Sequence, residues 1–156
     1  MDEQEQLYLK EHYRASEWLG RQWTEGTAQN VELTESDISG WMLNRTKRHH
    51  AAPPFSHSVW TNSGGDIITV RITECADAKA AQHQLLKELG TFHLPGIERR
   101  ASAIGDVSFG KGKTMALFAR ANVVVTILNA SPQKVSVAAV ARDVDVFINQ
   151  KIRESP

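Results

Sequence analysis

Gly105-Asp106-Val107-Ser108-Phe109-Gly110-Lys111 has the spacing of a phosphate-cradling P-loop as far as its lysine. Such a loop needs Ser or Thr next, to hold magnesium. It must also open a helix whose N-terminal N–H groups carry the phosphate. Here Gly112 follows, and the alternative register Gly112-Lys113-Thr114 puts Val107 where the first glycine belongs. The downstream pattern is that of a strand, so the stretch reads as a basic β-turn and not as a nucleotide site. Histidines are the next candidates. His49, His50 and His57 flank Pro53-Pro54, and His12, His83 and His93 are scattered. None of them forms a pair at the helix or hairpin spacing that fixes metal ligands. Cys75 and His83 lie eight residues apart across a strand-to-helix turn, where folding could bring them together. Even so, surface histidines on loops are the expectation, with no metal and no cofactor. A helix N-terminus after Cys75 would favour its thiolate. The neighbouring Glu74 and Asp77 oppose it, so an inert thiol is expected. There is no Gly-x-Ser-x-Gly nucleophile elbow. Asp143 and Asp145, two apart on one helix, point in different directions and read as a solvated face. Asp106 reads as a turn residue bonding local backbone. No residue is therefore assigned as catalytic.

Contact residues remain. Trp18, Trp23, Trp41 and Trp60 all fall in the first 60 positions. Indoles in such a cluster either line a ligand groove or interface, or dock helices onto a sheet. Arg45 and Arg48, in Arg45-Thr46-Lys47-Arg48, offer phosphate or partner contacts, or else form a solvated loop. These six side chains are the candidate ligand or partner contacts.

The elements that must position them fall into two regions of a single domain, 1–156. In residues 1–52, Tyr8, His12, Ala15, Leu19 and Trp23 recur at helical spacing. That predicts a long N-terminal helix ending near Gly26. Thr34 with Asp37 resembles a capping box that opens a short helix near Glu35–Leu43. Arg45 to Pro54 reads as a basic, proline-containing connector. Residues 57–152 read as a ββα unit, several further strands and a last helix. Ser58–Thr61 and Asp66–Glu74 are strands joined across Asn62-Ser63-Gly64-Gly65. In the second, Ile68, Val70 and Ile72 share one face, and Thr69, Arg71 and Thr73 share a wet one. Asp77 caps a helix that buries Ala81, Leu85 and Leu89 and ends at Gly90. A turn at Pro95-Gly96 and strands at Ile97–Ala103, Val107–Phe109, Met115–Arg120 and Val123–Leu128 follow. The last strand is apolar on both faces and so central. Ser136 caps a helix whose inner stripe is Val137, Val140, Ala141, Val144, Phe147, Ile148 and Ile152. The class is α+β: an antiparallel sheet with helices packed mainly on one face, preceded by an N-terminal helical segment.

Charge and length exclude some functions. The chain of 156 residues has net charge zero, with 18 basic and 18 acidic residues. Residues 1–40 hold nine acids and three bases, a net of −6 that the rest balances, so an acidic segment is expected on or near a mildly basic body. An aromatic–basic stripe is not visible, which argues against nucleic acid. No window is long and apolar enough to span a membrane. The acidic N-terminus is unlike a secretory signal, so the location is cytoplasmic, or periplasmic or exported if a leader has been removed.

The run Ile104-Gly105-Asp106 with Phe118-Ala119-Arg120-Ala121-Asn122-Val123-Val124-Val125, followed by Val140-Ala141-Arg142-Asp143-Val144-Asp145, resembles a pattern in bacterial domains of unknown function, often small exported or lipid-anchored proteins. Over roughly 57–152 the layout is also similar to PsbP-like and Mog1-like modules. The resemblance implies an antiparallel α+β sandwich and no catalytic residue. The expected function is a non-enzymatic binding or assembly module of the bacterial cell envelope, acting on a protein partner through a surface or groove. The alternative is a small-molecule-binding protein or enzyme with a pocket between the sheet and the N-terminal helices.

Overall fold

The computed structural model describes residues 2–21, 23–92, 96–100 and 103–154. His93, Pro95 and residues 101 and 102 of the expected strand lie outside them. The elements run α1 (Glu3–His12), a 3-10 turn (Ala15–Glu17), β1 (Met42–His49), β2 (Phe55–Thr61), β3 (Ile67–Glu74), α2 (Ala78–Phe92), β4 (Glu98–Arg100), β5 (Val107–Lys111), β6 (Met115–Arg120), β7 (Val123–Asn129) and α3 (Ala138–Glu154). The strands form one antiparallel sheet in the order β1-β2-β3-β7-β6-β5-β4. The α+β class with helices packed on an antiparallel sheet is therefore what the chain adopts. β7 sits in the middle of the order, as its two apolar faces require.

The apolar residues fall into two groups, one on each side of the sheet. Ile68, Val70, Ile72, Val125 and Ile127 pack with Val140, Val144 and Ile148 of α3. Val124, Leu117, Ala119 and Phe109 pack with Leu85, Leu86 and Leu89 of α2, and with Leu9, Tyr13 and Trp18 of the N-terminal segment. Side chains alternate between faces along a strand, so α2 and α3 cover opposite faces. With α1 on the α2 side, two of the three helices share one face, as expected, and α3 alone covers the other.

Three local expectations are corrected. The N-terminal helix is short, because Arg14 turns the chain with a left-handed φ of 53°. It buries Leu9, its C-cap Tyr13 is buried beside it, and Tyr8 is 52% exposed. Thr34 and Asp37 do bond each other, through the Thr34 N–H and hydroxyl to Asp37 Oδ2. They close a turn and open no helix, since the following residues to Gly40 are turns and bends. Residues 42–49, taken as helix end and loop, form β1. The double proline breaks structure only after His49.

Candidate functional site

The two faces of the β1–β2–β3 half of the sheet are treated differently by the rest of the chain. One face is covered by residues 24–41, which contribute Ala28, Val31, Leu33, Ile38 and Trp41 to the α3-side core. This strap has almost no regular structure, so its backbone groups need other partners, and buried side chains supply them. Asn122 accepts from the Ala28 N–H at 2.8 Å and donates to the Ala28 carbonyl at 2.9 Å and the Cys75 carbonyl at 2.9 Å. Glu74 accepts from the N–H groups of Asn30 (2.7 Å) and Val31 (3.1 Å). Its Oε2 lies 2.7 Å from Arg48 Nη1, an ion pair whose angle falls outside hydrogen-bond geometry. At the strap's start Asp106 accepts from the Thr24 N–H and hydroxyl and from the Ala121 N–H. Arg120 makes a bidentate pair with Asp145 at 2.6 and 2.9 Å and also donates to the Thr24 hydroxyl at 3.0 Å. Two earlier expectations are overturned here. Asp145 is buried, not solvated, and Asp106 bonds Thr24, 82 residues away, as well as the Ala121 turn.

The other face of these strands is open. α2 packs against β6 and β7, and on β1–β3 the register places nine side chains in three rows. These are Arg45, Val59 and Thr69; Lys47, His57 and Arg71; and His49, Phe55 and Thr73. All but Thr73 are exposed or half-buried. Five of the nine are basic or imidazole groups, and none is an acid. Phe55 organises part of the grid. His49 stacks on its ring at 4.4 Å and 14°, and the Arg71 guanidinium carbon lies 4.0 Å from the ring centroid. Among the described residues, neither Arg45, Lys47 nor Arg71 forms an ion pair. Partial burial pulls the His57 imidazole below its ordinary pKa, and Arg45, Arg71 and His49 push it the same way. Where the middle row meets α2, Arg71 is opposite Thr126 on β7, whose hydroxyl donates to Glu88 Oε1 at 3.3 Å. Burial raises the Glu88 carboxyl above its usual range, against the pull of Arg71, the Thr126 bond and Lys87. Arg71 Nε, Thr73 Oγ1 and Glu88 Oε2 are buried without a hydrogen-bond partner.

The six residues singled out in the sequence are dispersed. Trp18 and Trp23 lie in the α2-side core, with indole N–H groups bonded to the Tyr13 and Trp18 carbonyls. Trp60 and Trp41 belong to the α3-side core, and Trp60 bonds the Ser58 hydroxyl. Arg48 is paired with Glu74 under the strap. Arg45 alone stands on the open face. Cys75 and His83 do line one shallow cavity, of about 460 Å³. The thiol, however, is pushed up to about 12 by burial and by the Glu88 and Asp77 carboxylates. That leaves almost no thiolate near neutral pH. Lys47, His49, Phe55, His57 and Arg71 were not singled out as a site. The basic run Arg45-Thr46-Lys47-Arg48, the histidines His49 and His57 and the wet face of Thr69, Arg71 and Thr73 were its separate signs, and nothing in the sequence joined them. Compared with known proteins, the chain matches no family model, no curated protein and no solved structure.

Proposed function

We infer that the protein is a non-enzymatic binding module whose working surface is the open face of β1, β2 and β3, and that its partner is anionic. One observation carries this reading: Lys47, His57 and Arg71 stand side by side on three adjacent strands with no acid among them. Lys47 and Arg71 flank the His57 imidazole with no ion pair among the described residues, whereas Arg48 and Arg120 are paired with Glu74 and Asp145. Cationic groups left unpaired on one open face, with no acid in their row, are available to an anionic partner. The flat array also suits a binding surface better than a reaction site, because it offers no nucleophile beside a base. Titration of the protein with polyglutamate at fixed ionic strength tests the reading. Binding that weakens strongly in the double variant Lys47→Glu/Arg71→Glu supports it. Binding unchanged by that variant, or no binding of polyglutamate or of any phosphorylated or sulfated anion, refutes it.

A further inference from the structure

We propose that the middle row of the open face is a binding site for a phosphomonoester-type dianion, held over His57 between the Lys47 ammonium and the Arg71 guanidinium. The inference rests on the open face being the working surface, and it goes further by naming the ligand chemistry. Adjacent strands lie about 4.8 Å apart, so Lys47 and Arg71 are roughly 10 Å apart at the backbone, with His57 midway. Both outer side chains are long enough to fold over the middle position. The Arg71 guanidinium rests on Phe55, two residues from His57 on the same strand and in the adjoining row. Phe55 thereby fixes the planar fork, and less conformational entropy is lost when the fork closes on oxygen.

The number and kind of donors select among anions. An ammonium, an imidazole N–H and a guanidinium are carried side by side on three adjacent strands, and the Thr73 hydroxyl, 1% exposed and without a partner, lies one row away beside Phe55. A carboxylate has two oxygens and one charge, so it leaves donors and positive charge unused. A phosphomonoester has three free oxygens and a charge of about −1.5 to −2 at neutral pH. A phosphodiester backbone carries one charge per unit and gains most from aromatic stacking. The Phe55 ring already carries the His49 imidazole and the Arg71 guanidinium, which a stacking base would have to displace. The same groups make binding take up a proton. His57 is held largely neutral by partial burial and by Arg45, Arg71 and His49, and Lys47 is its cross-strand neighbour. A dianion over the ring opposes all of those charges and raises its pKa, so affinity must increase as pH falls through the His57 range.

The test is a titration of the isotopically labelled full chain, read by amide and imidazole NMR at constant ionic strength. The probes are inorganic phosphate, free phosphoserine, a phosphoserine peptide, sulfate, acetate, polyglutamate and a single-stranded oligonucleotide. The expected result is saturable shifts at Lys47, His57 and Arg71 with phosphate and phosphoserine, at least about fivefold tighter than acetate. Lys47→Gln and Arg71→Gln should each weaken them by a similar factor and leave remote amides in place. Sulfate, which stays dianionic throughout, should bind more tightly at pH 5.5 than at 7.5, with the His57 titration midpoint moving up. His57→Gln should abolish that pH dependence. A peptide much tighter than free phosphoserine identifies a phosphorylated protein as the source, and equal affinities identify a small metabolite. If polyglutamate or the oligonucleotide binds the face while phosphate and phosphoserine do not, the dianion site is wrong and the anionic working surface stands. If no probe shifts these residues, both are wrong.

Discussion

β1 carries both designs of this molecule on alternate residues. Arg48 points under the strap and is paired with Glu74, whereas Arg45 and Lys47 point to the open face and are paired with nothing among the described residues. The same contrast holds across the sheet. On the latched side, Arg120, Asp145, Asp106, Asn122 and Glu74 hold an irregular segment by hydrogen bonds to its backbone and to Thr24. On the open side, Arg71 draws the Glu88 carboxyl down against the effect of its burial but forms no ion pair with it. Buried polar groups stabilise only when their networks are complete. The lesson is that Arg48 and Arg120, paired with Glu74 and Asp145, hold the fold, while Arg45, Lys47 and Arg71 on the open face form no ion pair among the described residues.

The comparison can be broken first on the latched side. Arg120→Ala should cost about 3 kcal/mol, because it leaves Asp145 buried without its partner. Urea unfolding measures it, and a loss under 1 kcal/mol would show the network to be incidental. Asn122→Ala should cost about 2 kcal/mol, since it removes three buried hydrogen bonds and leaves the Ala28 N–H unpaired. It should also speed amide exchange across residues 24–33 more than in α3. Equal acceleration in both regions would mean the strap is not a separately latched unit.

Much of this architecture is legible in the sequence, and the illegible part has a physical cause. The β2–β3 hairpin, α2, β7 and α3 are visible because each buries a complete apolar stripe, such as Val140, Val144 and Ile148. β1 is not, because its covered face carries Thr46 and Arg48, which meet Glu32 and Glu74, and its other face meets water. Only Leu43 in it reaches the core as an apolar side chain, and Arg45-Thr46-Lys47-Arg48 then looks like a loop. The candidate site disappeared with it, since the grid exists only once β1 is paired with β2. The phase of α1 failed for a related reason. Leu9 and Tyr13 are also four apart, and the stripe through Tyr8 and His12 matched helical spacing equally well. The latch was beyond reach, because its bonds join Thr24 to residues 82 and 96 positions away.

Smaller effects sharpen the open side. Glu88 has its pKa raised by burial, so its contribution to stability is complete at pH below the usual carboxylate range and is lost as pH rises through its folded value. Glu88→Gln should therefore flatten the pH profile, lowering relative stability in acid and raising it near neutrality. A parallel profile in the variant would mean the carboxyl is solvated. Phe55→Ala should free both His49 and Arg71, weakening anion binding while Lys47 stays in place. Unchanged affinity would show that the ring plays no part in positioning the guanidinium.

The most direct test of the contrast is the stability of Lys47→Gln beside that of Arg120→Ala in the same denaturant series. Lys47 lies on an edge strand opposite the His57 imidazole and shares its face with Arg45 and His49, with no acid among them, so removing its charge should leave stability unchanged or raise it by less than about 1 kcal/mol. Arg120→Ala should lower it severalfold more. A Lys47→Gln protein less stable than the parent would contradict the account, because it would mean that this charge, too, holds the fold together.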